Sequence, residues 1–236
     1  MEPEIIYEDG SLIVLNKPSG WIVNEAITSG AMPVVQTWLK ENYNYPIVKS
    51  FECRSGVVHR LDKETSGLLL IAKTEKSFAN LLSQFKERLV EKTYLALVHG
   101  KIDPKEGEVD VTVGRLPWRR DRFGVIPGGR ESSTKYKVVE YYRNKGNEFS
   151  LTEFYPKTGR THQIRIHAKH IGRPVVGDNF YAGRKTARND RKWCPRLFLH
   201  AYKISFNHPE KGTRVDFSSP IPKDLSDALN LLEKVG

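Results

Sequence analysis

Residues 56–73, GVVHRLDKETSGLLLIAK, constrain the fold more than any other stretch of this chain. An apolar run, Gly56 to Val58, passes into four polar or charged side chains within five residues, then through a Thr-Ser-Gly turn into a second apolar run, Leu68 to Ala72. Charges set between two core strands are costly unless they are used or paired, which marks His59, Arg60 and Asp62 as candidates for function. The plain alternative is a surface loop with an Arg60–Asp62 ion pair.

The surrounding text fixes the class. EIIY, the turn Asp9 to Ser11 and LIVLN, stopped at Lys17-Pro18-Ser19-Gly20, predict an opening hairpin. Alternation predicts further strands over 93–98, 132–142, 147–154, 197–206 and 213–218. Helices are expected over 34–43, over 74–89 with Thr74 as N-cap, and over roughly 222–234 with Asp224 or Ser226 as cap. Strands follow one another through turns more often than through helices. This predicts an α+β fold, a mixed and mostly antiparallel sheet with flanking helices. With no long linker or internal repeat, residues 1–236 read as one domain.

Thirty-eight Lys and Arg against 28 Asp and Glu leave a net charge of +10, which favours polyanionic partners. Two runs concentrate it. Residues 115–130 hold Arg115, Arg119, Arg120, Arg122 and Arg130 beside Trp118 and Phe123, and read as a mobile basic loop. Residues 184–196 hold Arg184, Lys185, Arg188, Arg191, Lys192 and Arg196 beside Trp193. Aromatics among arginines suit a phosphate backbone with stacked bases, so RNA or DNA is the expected partner over merely solvated loops. No apolar run is long enough to cross a bilayer, and no leader pattern opens the chain, so the expectation is a cytoplasmic monomer that does not bind membranes. Cys53 and Cys194 read as inert thiols.

A second polar stretch, Lys157 to His167 (KTGRTHQIRIH), alternates polar groups with Ile on what could be a strand or the first turn of a helix. One face would carry Gln163, Arg165 and His167. A partly buried Arg165 needs a carboxylate, and Asp62 is the best candidate the chain offers. His162, His167 and His170 stand at metal-like spacing, but no fourth ligand is evident and no metal is expected.

The segment HRLDKETSGLLLIAKT resembles the catalytic motif of the RluA family of pseudouridine synthases, H-R-L-D-x-x-T-S-G-L. EKTY (Glu91 to Tyr94), TGRTHQIRIH (Thr158 to His167) and LFLHAYKISFNHP (Leu197 to Pro209) resemble three further family motifs, in order. The resemblance implies that Asp62 is the catalytic aspartate, Arg165 the arginine paired with it, Tyr94 the tyrosine that stacks on uracil, and Leu199 an apolar wall. It implies that Arg60 can fill the gap left by an extruded base. His59, Arg160 and Gln163, within the motifs, and Arg119, Arg120 and Arg122, in the basic run, are the expected RNA contacts. The S4-type RNA-binding domain that many members carry at their N-terminus is expected to be missing.

The implied reaction breaks the N1–C1′ bond of uridine and rejoins the base through C5, with no redox change and no net water. No cofactor is implied. One carboxylate suffices, whereas hydrolytic glycosidases place two across the bond. The expected substrate is a stem-loop of ribosomal or transfer RNA. The competing readings are an RNA-folding protein of the same fold, in which modification is incidental, and a hydrolase using Glu64 as a second acid.

Overall fold

The carboxylate of Asp9 accepts the backbone N–H groups of Ser11 (2.8 Å) and Leu12 (3.0 Å), closing the turn between β1 (Glu4–Glu8) and β2 (Leu12–Lys17). This hairpin begins a computed structural model that describes residues 1–25 and 30–235 and, of Arg120, the backbone alone; the Arg120 side chain, an expected RNA contact, lies outside the described residues. The chain divides into two compact units, Met1–Lys92 with Ala201–Pro220, and Thr93–His200 with Ile221–Gly236.

In the first unit β3 (Ser66–Ala72) pairs antiparallel with β2, Leu69 opposite Leu15. The strand β9 (Leu199–Asn207) neighbours β3, and β10 (Arg214–Ser218) pairs antiparallel with β9. Every residue of β3 is buried, which is why its sequence is an unbroken apolar run without alternation. Two helices complete the unit, α1 (Val35–Asn42) and α2 (Glu75–Lys86). The Thr74 hydroxyl accepts the Ser77 N–H (3.1 Å), the N-cap expected from the sequence.

The second unit is an antiparallel sheet in the order β4 (Glu91–His99), β8 (Asn147–Pro156), β7 (Arg130–Asn144), β5 (Glu106–Leu116), β6 (Arg119–Val125). The helices α3 (Gln163–His170), α4 (Arg184–Asp190) and α5 (Lys223–Asn230) follow in the chain, and the short β11 (Glu233–Val235) pairs with β7. The fold is α+β, as read from the sequence.

Several elements differ from expectation, each for a local reason. The 115–130 run is not a loop: β5 and β6 pair through a two-residue Pro117-Trp118 turn, with Gly114 opposite Gly124. The 184–196 run hides α4, because only Ala187 and Asp190 turn inward and leave no apolar periodicity. The final helix ends at Asn230, and β11 takes up the tail. Its cap residue is Pro222, without a side-chain bond, since the Asp224 carboxylate holds Arg196 bidentately at 2.6 and 3.0 Å. The 163–170 stretch is a helix, so Gln163, Arg165 and His167 do not share one face; residues 163–168 are all buried.

Candidate active site

The loop that carries Asp62 is held by its backbone. The preceding strand ends at Lys17, whose side chain is fully buried and whose ammonium donates to the carbonyls of Pro18 (2.9 Å), Trp21 (3.0 Å) and Lys63 (3.3 Å). The Gly20 N–H also donates to the Lys63 carbonyl (2.8 Å), and the Ser19 hydroxyl to that of Glu64 (2.8 Å). The Thr65 N–H closes the turn onto the Asp62 carbonyl (3.1 Å). The Lys-Pro-Ser-Gly segment, read from sequence as a strand terminator, is therefore a clip across residues 62–65. Within this turn Asp62 is half-buried and Arg60 is exposed. The turn can enter β3 only through glycine: Gly67 has φ +115, and a Cβ there would lie 2.3 Å from the Ala201 carbonyl oxygen.

His59 is locked at the head of the same loop. Its Nε2 accepts the Leu70 N–H of β3 (2.9 Å), and its ring lies tilted against Phe85 at 4.9 Å. Burial, with the Lys92 ammonium adding to it, pushes its pKa down to about 3, so the imidazole is neutral and carries its proton on Nδ1.

In the second unit the polar groups of α3 are gripped by their side chains. Arg165 is 3 % exposed at its side chain and Asp178 not at all; the guanidinium donates through Nε and Nη2 to the two Asp178 oxygens at 2.7 and 2.8 Å. Asp178 also accepts the N–H groups of Phe180 (2.8 Å) and Tyr181 (3.0 Å), whose rings lie over the guanidinium at 5.4 and 5.2 Å. The carboxylate in this fork is Asp178, thirteen positions downstream, a partner for Arg165 that the sequence reading did not name. Only the folded chain brings Asp178 to α3, which is why spacing did not reveal it.

Gln163 is buried with all four of its bonds made internally. Its Oε1 accepts from the Thr158 hydroxyl (2.7 Å) and the Arg160 N–H (2.9 Å), and its Nε2 donates to the Ser133 carbonyl (3.1 Å) and the Thr134 hydroxyl (2.9 Å). The geometry gives it the part of a hub between α3 and β7 in place of an RNA contact. The His167 Nε2 donates to the Ser132 hydroxyl (2.8 Å), whose own proton goes to the Val111 carbonyl (2.8 Å). Burial lowers the His167 pKa to about 4; His170 adds to the shift and Asp110 opposes it. His162 packs among Phe123, Phe180 and Tyr181, and His170 is exposed.

Tyr94 is half-buried on β4 opposite Phe154 of β8, and Leu199 is buried at the start of β9. Arg119 is exposed and Arg160 half-buried, its Nε donating to the Glu131 carbonyl (3.1 Å). Trp118, at the tip of the β5–β6 hairpin, is 75 % exposed. Arg122 lies over the Phe180 ring at 5.3 Å and donates to its carbonyl (3.0 Å). The second basic run splits by function: Arg184, Lys185, Arg188 and Lys192 are exposed, while Arg191 binds the Gly177 carbonyl (3.0 Å) and Arg196 binds Asp224.

Sequence reasoning missed Lys17 and Asp178. The signal for Lys17 was a lysine ending an apolar strand just before proline; Asp178 had only a Gly-Asp turn after Val175 and Val176. Chemically, the first unit presents a carboxylate on a loop fixed from behind, and the second a dehydrated guanidinium beside aromatic rings.

Residues 11–170 match the family model described as RNA pseudouridylate synthase. The chain is 34% identical to "RNA pseudouridine synthase 2, chloroplastic" of Arabidopsis thaliana over 99% of its own length and 65% of that protein's. It is 36% identical to "Ribosomal large subunit pseudouridine synthase D" of Pseudomonas aeruginosa, covering 99% of this chain and 73% of the relative. Coverage of the proteins it resembles is thus partial, about two thirds to three quarters for these two. A solved structure, "Human RNA Pseudouridylate Synthase Domain Containing 1", superposes with a TM-score of 0.76 at 26% identity, covering 99% of this chain and 89% of that one.

Proposed function

The chain belongs to the RNA pseudouridylate synthase family, and from that premise we propose that it isomerises uridine to pseudouridine in structured RNA, with Asp62 as the catalytic carboxylate. The observation that carries this reading is the intact H-R-L-D-K-E-T-S-G-L segment on a loop clipped by the buried Lys17 ammonium, which fixes the Asp62 backbone while its side chain stays half-buried. The bond from C1′ to N1 breaks, the base turns, C5 bonds to C1′, N1 gains a proton and C5 gives one up. Asp62 acts as nucleophile or base in this exchange. Tyr94 offers a π-face to the uracil and a hydroxyl near C5, Arg165 serves the carboxylate chemistry as a fixed cation, and Leu199 gives an apolar wall. The exposed Arg60 enters the space left by the extruded base.

The RNA backbone is held by the β5–β6 hairpin, through Arg119, Arg122 and the exposed Trp118, together with Arg160 and the outward cations of α4. The exposure of Trp118, Arg119, Arg184, Lys185 and Arg188 supports that reading. Ribosomal RNA of the large subunit is the proposed substrate, as in the names of the relatives from Pseudomonas aeruginosa and Neisseria meningitidis.

Loss of hydrogen from C5 gives the test. Ribosomal RNA labelled with tritium at uridine C5 should release tritium to water with the wild-type protein and none with Asp62→Asn, while RNA affinity stays within a few-fold because phosphate contacts supply most of it. Release of free uracil in place of tritium would identify a hydrolase and overturn the reading.

A further inference from the structure

The second unit gathers positive charge at a place that neither basic run of the sequence contains. Lys101 and Lys105 lie in the connection between β4 and β5, and their ammonium groups rest over one ring, that of Tyr141 on β7, each 5.2 Å from its centroid. The connection is pinned from behind. The Gly100 N–H donates to the Glu148 carbonyl and the Val138 N–H to the Lys105 carbonyl, both at 2.7 Å, and the Tyr141 hydroxyl donates to the Ile102 carbonyl (2.7 Å). The Ser150 hydroxyl takes the Ile102 N–H (3.0 Å) and donates to the Gly100 carbonyl (2.8 Å). A third cation reaches the same segment from the far end of α3: Arg173 lays its Nη1 against Gly100, 2.6 Å from where a Cβ would stand, and φ +78 at that residue also calls for glycine. The neighbouring acids do not neutralise this group. Glu106 takes Lys137 (2.8 Å) and Glu140 takes Lys234 (3.5 Å), while Asp103 and Glu148 are exposed. Among the described residues none of the three cations pairs with a carboxylate.

We propose that Lys101, Lys105 and Arg173 form a further site for the RNA backbone, receiving phosphates away from the basic runs. The proposal rests on the RNA reading above. Like charges held together repel, and an anion that repeats along a chain can meet each of them in turn, as phosphodiesters do. Lysine meets a phosphate as a point charge and arginine as a fork, so the patch grips backbone without reading bases. The Tyr141 hydroxyl is spent on Ile102, which leaves its ring to order the two lysine side chains; less of their freedom is then lost when RNA binds.

The test uses the full chain and a transcript of large-subunit ribosomal RNA, with affinity measured across a salt series. Lys101→Gln, Lys105→Gln and Arg173→Gln together should weaken binding about tenfold at physiological salt and flatten the dependence of log affinity on log salt by about 2. The two lysine changes alone, both at exposed positions, should flatten it by about 1.5. A control that removes the same charge elsewhere, Lys76→Gln, Lys86→Gln and Lys223→Gln, should leave the slope near that of the wild type. Lys101→Arg with Lys105→Arg should bind within about twofold of the wild type, since phosphate needs only the charge. A wild-type slope in the lysine pair, or an equal loss in the control, overturns the proposal while RNA binding by the wild type stands. Failure of the wild type to bind the transcript would refute the RNA reading and this site with it, and tritium release is scored separately as the test of isomerisation.

Discussion

The two units hold a functional charge in opposite ways. In the first, the grip is on backbone: Lys17, Ser19 and Gly20 bond to the carbonyls of Lys63 and Glu64, and the Asp62 carboxylate is left half-buried on the turn they fix. In the second, the grip is on the side chain itself: both oxygens of Asp178 fork onto a buried Arg165. The bonds of a backbone clip are made without the held residue's side chain. A buried fork spends the side chain's hydrogen-bonding capacity on position and makes the charge permanent. Each unit also holds a neutral imidazole, His59 accepting a backbone N–H and His167 donating to a hydroxyl.

If the grips differ in this way, removing them should cost different amounts. Asp178→Asn leaves Arg165 charged and buried with half its fork, and should lower unfolding free energy by about 3–5 kcal/mol in a urea titration. A cost below about 1 kcal/mol would erase the contrast. Restoring an apolar pair with Arg165→Met and Asp178→Leu together should recover part of the stability and none of the tritium release.

Lys17→Met keeps the stem of the side chain and removes its three donors, with an expected cost of about 2–3 kcal/mol, less than the fork because the orphaned groups are neutral carbonyls. The same variant should slow tritium release, while Lys17→Arg, too bulky for the clip, should not restore it. A rate unchanged in Lys17→Met would mean that the loop keeps its shape without the clip.

The histidines sharpen the comparison through pH. Below pH 6.5 the unfolded chain protonates His167, while the folded chain keeps it neutral down to about 4. The unfolded state therefore binds more protons between these values, and stability falls on acidification by about 1.4 kcal/mol per pH unit. His59 loses stability in the same direction, down to about pH 3. His167→Gln should remove one proton's worth of slope and leave that of His59; an unchanged slope would show that His167 titrates as in the unfolded chain.

The smallest change in stability belongs to the exposed cations. Arg119→Gln with Arg188→Gln should alter unfolding free energy by less than about 0.5 kcal/mol but lower the salt slope of RNA binding by roughly 1.5, about 0.7–0.9 for each lost phosphate contact. An unchanged slope would return both residues to plain solvated surface.

Whatever depends on neighbours along the chain was legible in the residues alone. Unbroken apolar residues at 68–72 made β3 a strand buried on both faces, Thr74 before spaced apolar positions placed the start of α2, and the crowded polar loop at 59–65 marked Asp62 as worth explaining. These readings rest on periodicity and turn chemistry, which act within a few residues. The tertiary structure decided the partners. It brought Asp178 to Arg165, turned Arg191 and Arg196 inward while Arg184 and Arg188 stayed outside, made Gln163 a saturated hub, and set Lys17 against a carbonyl 46 positions away. Charged residues look alike in a sequence; what separates a solvated one from a buried, paired one is the desolvation it meets and the acceptor that meets it, and both are properties of the packed chain.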